Sequence, residues 1–370
     1  MLFLAAGQAM PAAAFVEPEW SLRGRLQVSD DRYDGVYSAS GQTRNASFVR
    51  RGNMVLGAQW PGGTQAVLGV QADSDLKLSV DNAYLAWRGV PGERLAIEGR
   101  LGRFDPDFGL EPSGSASWIV GIERSALWDL APDAGDGATS GGLQLRATGD
   151  GWHGSASLFD KHGYRSSVAR AAWQPLNRAG RLLHLGVSAA ATQGWRDDGR
   201  IRSRLAVRGV SEHDDGHRPT LAGAADFDGD RAWVLESAAV WGAWSVQAEW
   251  LRRSLRAAAT TAADRVAKGH YIQLAWTPTG QSRAYDPEGA RFRGLRPGAQ
   301  GPAIWEVFAR HDRMAVRGAR AAAVTAVGVN VYASRQWRVS ANLLHARSDR
   351  RNDADDSRGR ALSLRAQWLY

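Results

Sequence analysis

The chain has 370 residues, 46 Lys+Arg against 38 Asp+Glu, a formal net charge of +8, no cysteine and 16 Trp. The absence of cysteine excludes a disulfide scaffold, an Fe–S cluster, a Cys-ligated zinc and a thiol nucleophile. A 44% hydrophobic and 23% charged composition is too balanced for a disordered chain, and no run of 18 apolar residues offers a helical membrane span.

At the N-terminus, Leu2 to Met10 are apolar, and Ala12 and Ala14 fit a signal-peptidase site. Residues 1–14 therefore read as a signal peptide lacking its basic start, and 15–370 as one domain. From there the dominant period is two, in stretches bounded by Gly, Asp, Pro and Ser. Strand candidates begin near 20, 43, 64, 79, 93, 141, 152, 164, 181, 200, 231, 244, 268, 303, 322, 336 and 358. In the segment 94–101, Leu95, Ile97 and Leu101 oppose Arg94, Glu98 and Arg100. In 82–89, Ala83, Leu85 and Trp87 oppose Asn82, Tyr84 and Arg88; in 270–276, Ile272, Leu274 and Trp276 oppose Tyr271, Gln273 and Ala275. No amphipathic helix of 12 or more residues stands out; the nearest, Ala257–Ala267, reads as a loop with a helical turn. Longer connections are predicted at about 104–140, 210–230, 278–302 and 348–357.

Seventeen candidates in one domain exceed a β-sandwich and point to an all-β transmembrane antiparallel barrel, whose apolar face meets lipid and whose polar face lines a lumen. Bacterial single-chain barrels use an even strand number, so sixteen is expected and one candidate is surplus. Trp20, Trp60, Trp152, Trp173, Trp241, Trp276 and Trp337 sit near strand ends, where interfacial girdles belong. In the last strand Leu362, Leu364, Ala366, Trp368 and Tyr370 share a face. This aromatic ending resembles the signal that outer-membrane barrels present to their assembly machinery. It implies a Gram-negative outer membrane, with lipid and lipopolysaccharide as surroundings.

The sharpest local feature is the segment Asp198–Gly209. Read as a strand, it puts Arg200, Arg202, Arg204 and Arg208 on one face and Ile201, Ser203, Leu205 and Val207 on the other. Guanidinium stays ionised and donates in a planar fork suited to oxyanions, so such a row in a lumen would attract and relay anions. Arg50-Arg51 is a weaker signal, because adjacent strand residues point to opposite faces unless a bulge intervenes.

Other constellations fall short. His213-Asp214-Asp215-Gly216-His217 has metal-like spacing but sits in a Gly/Asp-rich segment that reads as a solvated loop. Asp226, Asp228 and Asp230 open like a calcium loop, yet Arg231 and Ser237 stand where Gly and Glu are needed. Gly135–Gly142 lacks the Lys of a phosphate loop, and neither G-x-S-x-G nor H-E-x-x-H occurs. The Trp content and membrane-type alternation argue against nucleic acid as partner. No cofactor or metal is implied. A barrel enzyme would need His213 with Asp215 or a similar pair at the rim, and a barrel plugged by 104–140 would be structural; a soluble polysaccharide-binding protein fits least.

Over nearly all of 15–370 the chain resembles the phosphate-selective porins of Gram-negative outer membranes. The likeness rests on Phe48-Val49-Arg50-Arg51-Gly52, on Val80-Asp81-Asn82-Ala83-Tyr84-Leu85, and on the stretch Gly102–Glu111 followed by Ile122-Glu123-Arg124-Ser125. Most specific is Gly280-Gln281-Ser282-Arg283-Ala284-Tyr285-Asp286-Pro287, with Pro297 and Trp305-Glu306 downstream. The resemblance implies a 16-stranded barrel with an inward-folded constriction loop, normally a homotrimer, that passes inorganic phosphate, polyphosphate or other small anions. It implies that Arg200, Arg202, Arg204 and Arg208 form a pore ladder, that Arg50 and Arg51 stand near the constriction, and that Asp81 is an acidic residue there. One departure is plain: the family's phosphate channels carry lysines around the constriction, whereas Gly102–Ala134 has only Arg103 and Arg124 as basic residues.

Overall fold

The computed structural model describes residues 17–74, 77–92, 95–132, 141–161, 164–259, 263–299, 301–349 and 357–370. The predicted signal segment 1–14 lies outside them. The strands are β1 (Glu19–Tyr33), β2 (Arg44–Gln59), β3 (Thr64–Ala72), β4 (Leu78–Gly92), β5 (Leu95–Arg103), β6 (Gly141–Gly149), β7 (Trp152–Lys161), β8 (Tyr164–Arg178), β9 (Arg181–Asp197), β10 (Ile201–Arg202), β11 (Thr220–Ala222), β12 (Phe227–Trp241), β13 (Trp244–Ala257), β14 (Arg265–Trp276), β15 (Tyr285–Asp286), β16 (Arg291–Phe292), β17 (Ile304–Val316), β18 (Ala321–Tyr332), β19 (Trp337–Asp349) and β20 (Ser357–Leu369). Sixteen close into an antiparallel barrel in the order β1–β9, β12–β14 and β17–β20, with β20 returning to β1. The pairs β10–β11 and β15–β16 are short ladders outside the wall. The surplus candidate is therefore the one near 200; the other sixteen are the barrel.

The wall is apolar outside and polar inside. Leu85, Leu101, Leu158 and Leu343 are 57%, 62%, 63% and 58% exposed, while Arg310 is among the largest fully buried side chains. Leaving that much aliphatic surface in water would cost on the order of 25 cal/mol per Å², so the outer face is built for lipid. Leu95, Ile97 and Leu101 point outward and Glu98 and Arg100 inward, as the alternation requires. No helix among the described residues is long and apolar enough to span a membrane. In the segment 257–267, expected as a loop with a helical turn, β13 runs to Ala257 and β14 begins at Arg265, and 260–262 lie outside the described residues.

At one end the connections are mostly tight turns, such as 60–63, 150–151, 179–180 and 242–243, and the ends of β1 and β20 lie there too. At the other end the connections 34–43, 104–140 and 198–226 are long, which makes it the extracellular side. Trp20, Trp152, Trp173, Trp241, Trp276 and Trp337, between 39% and 64% exposed, all line the turn end, as interfacial aromatics do. Tyr370 exchanges backbone hydrogen bonds with Gly24 at 3.0 Å each way and stacks on Trp368, so the aromatic terminus seals the closing seam.

Candidate pore and its constriction

Three connections fill the lumen. The first is 104–132, which carries the short helix α1 (Leu110–Ser113). Its start is held by β13 and β9: Leu110 and Glu111 donate backbone N–H groups to the Glu249 carboxylate of β13 at 2.6 and 3.1 Å, and Gly109 N–H donates to Ser188 Oγ of β9 at 3.0 Å. Farther along, guanidinium groups of the wall bind its carbonyls. Arg310 donates to Glu123 O at 3.1 Å, and Arg338 to Ile119 O and Val120 O at 2.9 and 3.0 Å. Arg365 donates to Ile122 O. The loop is thereby tied to the β17–β20 wall and faces β1 and β2 across the remaining space.

That space is where the two paired arginines lie. A register shift lets Arg51 oppose Gln27 while Val49 opposes Val28, so Arg50 is an extra residue in a β-bulge. The bulge removes the alternation limit, and both side chains enter the lumen. Arg50 grips Glu123 with Nε at 2.7 Å and Nη2 at 3.0 Å, and Arg365 Nη2 holds the same carboxylate at 2.5 Å. Arg51 lies within the field of Arg50, Glu123, Arg25 and Arg124, without a salt-bridge partner among the described residues. Arg25 feels Asp81, Arg124, Arg50 and Arg365, and donates to Ser117 Oγ at 3.0 Å. Asp81 sits at a second bulge, between Val80 opposite Val70 and Asn82 opposite Gly69. Five guanidinium groups and two carboxylates are thus electrostatically coupled here, an excess of positive charge. Arg25 and Arg365 escaped sequence reasoning because they are distant in the chain, whereas Glu123 and Arg124 stood within the quoted loop motif.

The arginine quartet is placed differently from the sequence expectation. Arg200, Arg202, Arg204 and Arg208 belong to the extracellular connection 198–226, not to a barrel strand, and only Ile201–Arg202 pairs, with Thr220–Ala222. Leu205 and Ala206 adopt φ of 50° and 63°, which ends any strand. The two-faced reading survives on this irregular backbone, because Ile201, Ser203, Leu205 and Val207 are all at most 3% exposed. Their face packs inward: Tyr37 and Tyr33 donate to Leu205 O and Gly209 O at 3.1 and 3.3 Å, and Gly209 N–H donates to Asp31 at 2.6 Å. Asp129, on the first loop, accepts from Ser203 Oγ at 2.6 Å and Arg204 N at 2.9 Å. The aliphatics mimic a lipid face because they bury against the lumen's own filling.

Arg200 and Arg208 pair with Asp198 and Glu212 at 3.5 and 2.8 Å, whereas Arg202 and Arg204 have no salt bridge among the described residues. A fifth member, Arg218, lies within the field of Arg202, Arg208 and Arg200. Burial, then Arg218 and Arg208, push Arg204 down to about 10, which leaves it charged at physiological pH; it also feels Arg50. Asp215, from the rejected constellation, accepts from Ser38, Ser40 and Arg44, and so ties 198–226 to 34–43. Among the described residues no group of three or more His, Asp or Glu is placed to hold a metal.

The third connection, 277–303, enters from the turn end. Arg283 ion-pairs Glu306 at 2.5 Å and donates to Trp118 O; Tyr285 meets His184 Nδ1 at 2.6 Å, and Asp286 holds Arg291 at 3.2 Å. Glu306 also accepts from Asn330 and Tyr332, both at 2.9 Å. The G-Q-S-R-A-Y-D-P segment thus folds a long connection into the barrel, where Phe292 meets Leu110 of α1.

Residues 21–370 match the family described as phosphate-selective porin O and P. The chain belongs to that family. This porin is 33% identical to Porin O of Pseudomonas aeruginosa, over 96% of this chain and 89% of that one. In fold it is similar to an anion-selective porin from Comamonas acidovorans, with TM-score 0.60 and 11% identity over 96% of this chain and 100% of that one. Pseudomonas putida OprB in its high-pH structure also gives 0.60 at 11% identity, covering 96% and 94%. These relatives are channel proteins rather than enzymes, and they place this porin in the Gram-negative outer membrane.

Gly109 tests the loop's seat in this porin. Its φ is 81°, and an added Cβ would stand 2.2 Å from the Trp128 ring. Gly109→Val is expected to lower barrel stability by about 2 kcal/mol or more through strain and overpacking. The measurement is the temperature at which the barrel unfolds in detergent; an unchanged temperature refutes the seat.

Proposed function

We propose that this porin is a passive anion-selective channel for phosphate or polyphosphate, and that Arg200, Arg202, Arg204 and Arg208 serve as its extracellular ladder, joined by Arg218. The observation that supports this reading is that the quartet's connection is seated on the lumen-filling loop, with Ser203 Oγ and the Arg204 N–H donating to Asp129 at 2.6 and 2.9 Å. An anion entering from outside meets exposed Arg202, then Arg204, then Arg51 and Arg25. Distributed guanidinium sites let it step onward, because no single site holds it tightly. Asp81 would then tune the ring by lowering its net charge. Assembly as a homotrimer and recognition of the Tyr370 strand by the barrel assembly machinery belong to the same proposal.

A general anion pore is the second reading, favoured by the absence of lysine across 102–134. Chloride conductance titrated with inorganic phosphate in planar bilayers separates the two. Half-block at sub-millimolar phosphate is the expected outcome; undiminished chloride current at 10-fold excess phosphate would leave only the general pore, and cation selectivity would sink both.

A further inference from the structure

The segment Gly280–Pro287 holds an arginine with no place in the ladder or the ring. Arg283 stands on the connection 277–303, and its guanidinium meets Glu306 of β17 at 2.5 Å and the carbonyl of Trp118 on the constriction loop. Glu306 accepts in turn from Asn330 Nδ2 and the Tyr332 hydroxyl of β18, both at 2.9 Å. Asn330 Oδ1 accepts from Arg338 of β19 at 2.7 Å, which brings a second guanidinium to the same place. Arg338 donates to the carbonyls of Ser117, Ile119 and Val120 at 3.2, 2.9 and 3.0 Å. Four consecutive loop carbonyls, 117 to 120, are therefore held by two arginines that Glu306 and Asn330 cross-link.

Burial and charge make this grip firm. Arg283, Glu306, Asn330 and Arg338 are all buried, and Arg338 has no salt bridge among the described residues. A buried cation without a counter-ion is costly unless hydrogen bonds replace its water. The loop needs donors just as much, because 117–120 belong to no strand ladder that would satisfy their carbonyls. Each side meets the other's requirement through charge-assisted bonds. Ser117 then carries the grip to the ring: its carbonyl is on Arg338, and its hydroxyl accepts from Arg25 Nη1 at 3.0 Å. Arg25 Nε reaches Asn53 Oδ1 of β2, also at 3.0 Å. A continuous polar path thus runs from the connection 277–303, behind the loop, to a guanidinium of the constriction.

We infer that Arg283 and Arg338 are positioning residues of the channel: they set how far Ser117–Val120 stand from the β1–β2 wall, and so the gap and the alignment of Arg25, without touching the anion. The inference rests on the anion-channel reading and adds to it a means by which the connection 277–303 governs the constriction. Single-channel recording in planar bilayers, with inorganic phosphate as the blocking ion, tests it. Arg338→Met leaves the Arg283–Glu306 pair balanced and frees three loop carbonyls. Open-channel chloride conductance is expected to rise about twofold, and the phosphate concentration for half-block roughly fivefold or more, because misplacement of binding groups by a fraction of an ångström is costly. The anion-to-cation ratio should fall by much less, since every guanidinium of the ring keeps its charge. Unchanged conductance and half-block overturn the role, and so does a ratio that falls as steeply as half-block rises, which would assign the effect to charge. A pore that phosphate does not block sinks the phosphate reading, and conductance alone then decides the positioning role: a rise supports it and an unchanged value overturns it. If Arg338→Met fails to assemble, Arg283→Lys supplies the contrast, keeping the charge beside Glu306 while giving up the fork that also reaches the Trp118 carbonyl. The same shifts then support the role, and their absence overturns it.

Discussion

Arg202→Glu combined with Arg204→Glu is expected to lower the anion-to-cation permeability ratio roughly tenfold or more, because several fixed charges at a pore mouth sum to potentials of a few kT. These two are the informative pair within the quartet. Arg200 and Arg208 spend part of their field on Asp198 and Glu212, whereas Arg202 and Arg204 have no salt bridge among the described residues. The loop should keep its shape, since Asp129 is reached by the Arg204 backbone N–H and the Ser203 hydroxyl rather than by the guanidinium. Arg202→Gln with Arg204→Gln isolates charge removal from the repulsion a new carboxylate would feel beside Asp129; about half of the effect, on a logarithmic scale, is expected. The measurement is the reversal potential across a planar bilayer under a salt gradient. An unchanged ratio in the Glu pair refutes the ladder.

How much of this was written in the sequence depends on whether a feature is periodic or convergent. The wall is periodic. Outward Leu95, Ile97 and Leu101, or Ile272, Leu274 and Trp276, alternate because strands do, and sixteen of the seventeen predicted starts lie within a few residues of a barrel strand. The failure at Arg200–Arg208 is instructive, since alternation reports two environments and not a ladder of hydrogen bonds. A loop packed inside a barrel also has a buried and an open side, and positive φ at Leu205 and Ala206 is invisible in their side chains. The constriction is convergent: Arg25, Arg50, Arg51, Arg124 and Arg365 come from four segments, and nothing local in Arg365 distinguishes it from other inward residues. Arg50-Arg51 shows the boundary between the two cases. The pair was visible, but whether both could enter the lumen depended on a bulge, a property of how β2 is registered against β1.

Arg51→Ala is expected to raise the phosphate concentration for half-block of chloride current by ten- to a hundredfold, the equivalent of a charge-assisted hydrogen bond worth roughly 1.5–3 kcal/mol. The two neighbours differ in what they are free to do. Arg50 commits one edge of its fork, Nε and Nη2, to both oxygens of Glu123, so it shapes the loop and sets the field. Arg51 has no salt bridge among the described residues and feels Arg50, Arg25 and Arg124 as well as Glu123, so a passing oxyanion is a partner that would relieve it. Arg51→Lys keeps the charge but loses the planar fork, and an intermediate shift follows if bidentate geometry matters. Arg50→Ala acts by another route: Glu123 retains only Arg365, and its freed negative charge weakens anion entry at every phosphate concentration. Arg51→Ala should therefore change the half-block concentration more than the unblocked chloride current, and Arg50→Ala the reverse. Identical half-block concentrations for Arg51→Ala and the unaltered porin would remove Arg51 from the anion's path.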